Sequence, residues 1–284
     1  MIEAGLILEG GAERGIFTAG ALDALMKKGM EFSYVCGVSA GACNAVDYVS
    51  RQIGRSKRVM IPSEKKYRMA KVSAIPSQHA YIDMDMLFDD FPNRVFPFDY
   101  ETYFASPIRC EMVVTNALTG CAEYMDSRDD RQAMMDICRA SSSIPIFTPM
   151  AKINGTPYVD GSVSDAIPIV HSLQAGYRKN LVILTRMADY EKTEPGKAIQ
   201  AIYRAYLRKY PALLRVMLNH HKDYNRQLAL LKKWEAEGKV FVLRPEMPPV
   251  DRLEYRAEKL EPFYQHGYDL MERRMDELTA YLEK

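Results

Sequence analysis

Two short apolar runs near the start of the chain, residues 4–8 and 32–36, each lead into a glycine-containing turn and then into a helix-spaced segment. An apolar run of this length bounded by turn signals reads as a buried strand. Residues 16–28, stopped by Gly29, read as a helix, and so do residues 41–51. Strand, turn, helix, repeated, is the pattern of parallel strands joined by crossover helices. It predicts an α/β fold and sends both turns to one edge of a sheet, where ligands of open α/β sheets bind.

The rest of the chain extends this pattern. Residues 108–116 and 122–126 read as strands around Thr119-Gly120, 131–139 as a helix, 152–159 as a hairpin about Asn154-Gly155, and 181–186 as another buried strand. Helical spacing runs from Ile199 to Tyr210, stops at Pro211 and resumes from Met217 to Leu231. Residues 240–243 read as a last strand and 253–282 as a closing helix.

With 284 residues, 48% hydrophobic and 26% charged, the chain buries a sizeable core without disulfides or metal. Its five cysteines form no C-x-x-C pair, which points to reduced thiols and a cytoplasmic location. The first apolar run is stopped by Glu9 and preceded by no basic segment, so no signal peptide is expected. No stretch approaches the roughly 20 apolar residues of a membrane span. A net charge of +1 gives no overall attraction to nucleic acid, and none is expected as a partner.

Chemistry concentrates in the two turns. The second is Gly37-Val38-Ser39-Ala40-Gly41, a G-x-S-x-G pentapeptide in which a serine at a sharp strand-to-helix turn is pushed out of the sheet edge. Ser39 is thus a candidate nucleophile, although small-residue clusters also arise where backbones simply pack closely. The first turn is Glu9-Gly10-Gly11-Ala12-Glu13-Arg14-Gly15. A dinucleotide fingerprint wants glycine where Ala12 stands, and a phosphate loop wants Gly-Lys-Ser or Gly-Lys-Thr where Gly15-Ile16-Phe17 stands, so nucleotide binding is weakly supported. The remaining reading is an oxyanion hole, with backbone N–H groups stabilising the oxygen formed when Ser39 attacks a carbonyl.

A serine needs a proton acceptor. None of His79, His171, His220, His221 and His266 carries a catalytic motif around it. Asp160 follows the strand-like residues 157–159 and precedes Gly161-Ser162, so its carboxylate is expected to project from a strand end; Asp-Gly also makes ordinary turns. A Ser-His-Asp triad using His171 or His266 on an α/β-hydrolase fold stays open as an alternative.

The turn ending in Arg14-Gly15, the pentapeptide Gly37 to Gly41, and Asp160-Gly161 within Tyr158-Val159-Asp160-Gly161-Ser162 together resemble the patatin-like phospholipase family. The resemblance implies a three-layer α/β/α fold with a largely parallel central sheet. It divides the chain into a catalytic core, residues 1–186, and a mainly helical extension, 187–284, packed on it with one further strand. It also implies a histidine-free dyad of Ser39 and Asp160, an oxyanion hole from Gly10, Gly11 and Ala12, and cleavage of lipid esters through an acyl-enzyme, without cofactor or metal. Arg14, Gly15, Gly37, Gly41 and Gly161 are motif support. Two positions depart from the family pattern: Ala12 stands where a third glycine is common, and Ser162 where glycine or alanine is. The first departure keeps open a catalytically weak lipid-binding or regulatory protein on the same fold.

Between the helix after Ser39 and the next strand, residues 51–71 carry Arg51, Arg55, Lys57, Arg58, Lys65, Lys66, Arg68 and Lys71 with apolar side chains interleaved. Such a segment lies on an anionic membrane, walls an acyl pocket, or is a solvated loop. Asp83, Asp85, Asp89 and Asp90 follow as candidate partners for it. The serine run Ser141-Ser142-Ser143 is expected near the cleft.

Overall fold

Side-chain alternation in the first two strands decides the layering. In β1 (Ile2–Leu8), Leu6 and Leu8 point into one core while Ile7 points into another; in β2 (Phe32–Val38), Val35 joins the first core and Tyr34, Cys36 and Val38 the second. A sheet apolar on both faces requires a covering layer on each. The computed structural model, which describes residues 1–68, 82–127 and 130–284, supplies both. Helices α1 (Gly15–Lys27) and α2 (Ala40–Val49) cover one face, together with the helices Arg131–Ser141 and Ala257–Arg273. Residues Ile167, Ile169, Tyr224 and Leu231 cover the other.

Among the described residues, the sheet has eight strands. β2, β1, β7 (Asn180–Ile183) and β8 (Phe241–Leu243) pair in parallel, β3 (Arg109–Asn116) joins β2 in parallel, and β4 (Ala122–Met125), β5 (Ala151–Ile153) and β6 (Thr156–Asp160) add antiparallel pairs. The fold is thus α/β with a mostly parallel central sheet.

One register positions the site. β2 pairs with β3 over Arg109–Val113, β6 pairs with it over Val114–Asn116, and β4 pairs over Met112–Thr115. Since β4 overlaps both registers and each strand has two edges, β2 and β6 share the other edge, end to end. β6 runs antiparallel to β3, so the two strands meet head on, Val38 opposite Val113 and Asp160 opposite Val114. Ser39, one residue past Val38, is carried to Asp160 by strand pairing alone.

The C-terminal part departs from the sequence expectation of one helix over 253–282. Residues 253–256 are not helical, because the Glu254 carboxylate accepts the N–H groups of Tyr255 and Arg256, competing with the helical bonds there. The segment then divides at Arg274, between Ala257–Arg273 and Met275–Glu283; the Arg274 guanidinium donates to the Val242 carbonyl at 2.7 Å, tying the break to β8. The expected strand over 181–186 stops at Ile183, because the Thr185 N–H donates to the Glu9 carboxylate at 2.6 Å instead of continuing a ladder. No helix among the described residues is long and apolar enough to cross a membrane.

Helix Ala257–Arg273 crosses α1 at reciprocal glycines. A Cβ at Gly20 would overlap the Tyr264 carbonyl oxygen, and one at Gly267 the Phe17 carbonyl oxygen. Phe17 and Phe263 pack beside the crossing with ring centroids 5.5 Å apart, and the Tyr264 hydroxyl donates to Asp23 at 2.6 Å. Alanine normally exceeds glycine in helix stability by about 1 kcal/mol. Here the sign is expected to reverse: Gly267→Ala should lower stability by about 1–3 kcal/mol through overpacking, read as a lower urea midpoint. A raised midpoint would show that the helices separate without cost.

Candidate active site

Ser39 sits between β2 and α2 with φ 56° and ψ −123°, a left-handed backbone that a non-glycine residue adopts at a cost of about 1–3 kcal/mol. Neighbours hold it there. Its N–H donates to Ser141 Oγ at 2.9 Å, and Ser141 Oγ in turn donates to the Val113 carbonyl at 2.7 Å. Its own carbonyl accepts the N–H groups of Ala42 and Cys43 at the first turn of α2. Gly37 and Gly41 flank the turn because the chain folds back on itself: a Cβ on Gly37 would overlap the Gly41 carbonyl, and one on Gly41 the Leu8 carbonyl.

Asp160 ends β6 and is 3% exposed. Burial raises its pKa, while contact with the Ser39 side chain and with Ser162 pulls it back down. The Ser162 N–H donates to Asp160 Oδ1 at 2.8 Å. The Asp160 backbone is fixed as well, its N–H donating to the Ser143 carbonyl and its carbonyl accepting Thr115 Oγ, both at 2.8 Å. Gly161 follows because any side chain there would strike the Val113 carbonyl. Ser141 and Ser143 thus reach the site as the serine run predicts, as supports for the Ser39 and Asp160 backbones.

The first turn lies against the second. A Cβ on Gly10 would stand 2.9 Å from the Ser39 Cβ, and one on Gly15 would stand 2.8 Å from the Ala40 Cβ. The loop is held from beneath: the Glu9 carboxylate accepts the Thr185 N–H and hydroxyl on one oxygen and the Tyr224 hydroxyl on the other, and Thr185 Oγ also reaches the Gly10 carbonyl at 3.0 Å. Arg14 is buried, its guanidinium pulled down to about 10 by burial and then by Arg186 and Arg252. Among the described residues the N–H groups of Gly10, Gly11 and Ala12 have no protein acceptor. Such groups beside a serine hydroxyl are free to donate to an anionic oxygen. Ala12 has φ 49°, so the residue that departs from glycine is also in the backbone region that favours glycine.

Of the described histidines only His220 lines a cavity at Ser39. His171 Nε2 donates to Glu111 at 2.7 Å and its ring stacks on Tyr124, lining neither cavity at Ser39. His266 accepts the Glu246 N–H, and His79 lies outside the described residues. His220 does line the cavity on the Asp160 side, on helix Pro211–Ala236, but burial and then Lys192 and Arg252 depress it to about 3.

Two cavities meet at Ser39. One, about 130 Å³, is walled by apolar side chains including Val59, Met60, Leu87, Phe88 and Phe91. The other, about 330 Å³, is polar and contains Asp160, Arg186, Lys192 and Arg252. Val59 and Met60 make part of the basic segment a wall of the apolar cavity; Met69 and Lys71 lie outside the described residues. Four of its cations have carboxylate partners: Arg55 with buried Asp47, Arg51 with Glu31, Lys57 with Glu261 and Lys66 with Glu64. Asp85 and Asp89 hold Arg139, and Asp90 pairs with Arg94.

The model of patatin-like phospholipases matches residues 6–172, more than half of the chain, spanning both turns and Asp160. The chain belongs to the patatin-like phospholipase family. A second model, a domain of unknown function (DUF6363), matches residues 210–283, from the long helix to the C-terminal helices. The chain is 29% identical over 256 residues to the uncharacterized protein YjjU of Escherichia coli (strain K12), covering 86% of this chain and 68% of that protein. In fold it is similar to VipD from Legionella pneumophila, with a TM-score of 0.53 and 14% identity over 96% of this chain and 67% of that one.

Arg186, Lys192, His220 and Arg252 are cavity residues that motif reading of the matched span does not reach, because all four lie beyond residue 172. The strain at Ala12 gives a test. Relief of a left-handed alanine is worth about 1–2 kcal/mol, offset in part by the greater unfolded-state entropy of glycine, about 0.4–1 kcal/mol. Ala12→Gly is therefore expected to raise the thermal midpoint slightly, and Ala12→Val to lower it. A destabilising Ala12→Gly would mean that the loop does not impose this backbone.

Proposed function

We propose that the protein is a serine acyl hydrolase of lipid esters, working through Ser39 and Asp160 without histidine. The observation that carries this reading is the head-on meeting of β2 and β6, which sets a strained, buried serine against a buried carboxyl at the junction of an apolar and a polar cavity. The acyl chain occupies the apolar cavity and the alcohol half the polar one.

In the first step Ser39 Oγ bonds to the ester carbonyl carbon as Asp160 takes the hydroxyl proton. The N–H groups of Gly10, Gly11 and Ala12 stabilise the resulting oxyanion. The carbon–oxygen bond to the leaving alcohol then breaks, and Asp160 returns the proton to that oxygen. Water attacks the acyl-enzyme with Asp160 again taking a proton, which passes back to Ser39 Oγ as the fatty acid leaves. Arg14, Gly15, Gly37, Gly41 and Gly161 support the two turns. A carboxylate is a weak base for a hydroxyl, so the burial that raises Asp160 helps it accept the proton.

Residues 1–186 are then the catalytic core, and the 187–284 extension supplies Lys192, His220 and Arg252 to the polar cavity. A lipid-degrading enzyme in the cytoplasm, meeting membranes peripherally near residues 51–71, is the cellular setting this reading favours. A second reading, a weakly active lipid-binding protein, is favoured by one observation, the methyl group on the strained residue Ala12.

Hydrolysis of short and long p-nitrophenyl esters distinguishes them. Ser39→Ala and Asp160→Asn should each lower kcat/KM by at least about 1000-fold, on the scale of losing a member of a catalytic unit, while His171→Ala keeps most of the activity. Because the Asp160 pKa is raised and its ionised form is the base, activity should be full above that pKa and fall as pH drops through it, with a midpoint above the usual aspartate value of about 4. Activity intact in Ser39→Ala would refute the nucleophile. Wild-type protein inert to esters and to a fluorophosphonate probe would favour the binding reading.

A further inference from the structure

The polar cavity holds more positive charge than chemistry at Ser39 uses. Four cations line it, Arg14, Arg186, Lys192 and Arg252, against two carboxylates, Glu9 and Asp160. Both carboxylates are engaged, Glu9 by Thr185 and Tyr224 and Asp160 by Ser162. Among the described residues none of the four cations has an ion-pair partner. Arg14 is 6% exposed and its Nε has no hydrogen-bond partner there. Aromatic faces flank two of the others: Lys192 Nζ lies 5.2 Å from the Tyr224 ring centroid, and the Arg186 guanidinium 4.2 Å from that of Tyr190.

These charges act on one another. Burial and then Arg252 pull Lys192 down to about 8; Glu9 opposes this in part, and Arg14 and Arg186 add to the repulsion. Concentrated cations that outnumber their counter-charges in a half-enclosed space form a site for an anion, and guanidinium forks match the oxygens of a phosphate. The cavity shares Ser39 with the apolar one, so an ester bound across Ser39 places its alcohol half among these cations. A volume of about 330 Å³ falls in the usual range of small-ligand pockets.

We propose that Arg186, Lys192 and Arg252 form a phosphate site for the alcohol half of the substrate, so that the enzyme selects anionic glycerophospholipids over neutral glycerides and over choline lipids. This inference rests on the hydrolase reading for its substrate. Arg186, Lys192 and Arg252 lie outside the residues matched by the patatin-like model, so the selectivity comes from residues beyond that match and not from the shared motifs. A quaternary ammonium is disfavoured by the surplus positive charge, whereas a phosphate monoester neutralises it.

The test has a binding arm and a turnover arm. Calorimetry on Ser39→Ala measures inorganic phosphate, glycerol 3-phosphate and phosphocholine. Glycerol 3-phosphate is expected to bind at least about 10-fold more tightly than phosphocholine, and Arg186→Gln or Lys192→Gln added to Ser39→Ala should weaken it by about 10- to 100-fold, the range of one charge-assisted hydrogen bond. Lys192→Arg should restore most of the affinity, and Lys232→Gln, exposed on the long helix, should leave it unchanged. In the turnover arm, the kcat/KM ratio of a lysophosphatidate over a monoacylglycerol of the same chain length should fall at least about 10-fold in Arg186→Gln and Lys192→Gln.

Glycerol phosphate binding without cleavage of any ester would support the phosphate site while overturning the hydrolase reading. Ester cleavage with no phosphate binding and a ratio near one would overturn the phosphate site and leave the hydrolase. Binding to anionic vesicles alone, insensitive to Arg186 and Lys192, would also overturn it, marking surface adsorption instead.

Discussion

The site depends on one backbone arrangement, the end-to-end meeting of two strands on a single edge of β3. The Val113 carbonyl stands at the junction. It accepts the Ser141 hydroxyl, which accepts the Ser39 N–H, and it excludes any side chain at Gly161. The strained Ser39 backbone is affordable only because these contacts determine it from several sides. Gly10, Gly37 and Gly41 follow from the same crowding: a Cβ on Gly10 or Gly41 would meet the neighbouring turn, and one on Gly37 the far side of its own. The motif glycines are consequences of close approach around Ser39.

The C-terminal part is built into the site. The Tyr224 hydroxyl, from the long helix, holds the Glu9 carboxylate at 2.5 Å, and the Arg252 carbonyl accepts the Glu13 N–H at 3.3 Å, so both ends of the loop that carries Gly10, Gly11 and Ala12 are anchored from beyond residue 210. The glycine crossing of α1 with Ala257–Arg273 docks the same region on the core. Loop geometry, cavity charge and C-terminal packing are thereby coupled: loosening the helix would loosen the loop beside Ser39.

Much of this was legible in the sequence because it is local. Apolar runs bounded by turns give β1, β2 and β3, Asn154-Gly155 gives the β5–β6 hairpin, and the spacing around Ser39 gives the turn. What escaped is set by distant partners. The strand at 181–186 is cut short by Glu9, a residue far away in sequence, and the closing helix is broken by an Arg274 bond to β8. Lys192, His220 and Arg252 carry no motif and come together only through tertiary packing. The depressed proton affinities of Lys192 and His220 have the same origin, burial first and then neighbouring positive charge. The resemblance to patatin-like proteins reached the motif residues and stopped where the shared motifs stop.

The most direct test of the account is to trap the covalent intermediate. Mixing the protein with a long-chain p-nitrophenyl ester, quenching in acid within the first turnover and mapping the adduct by peptide mass spectrometry reads out which oxygen was acylated. The account predicts one acyl group, on Ser39, abolished by Ser39→Ala and strongly slowed by Asp160→Asn. An acyl group on another residue, or ester turnover with no covalent adduct under conditions where the first step outruns the second, would contradict it.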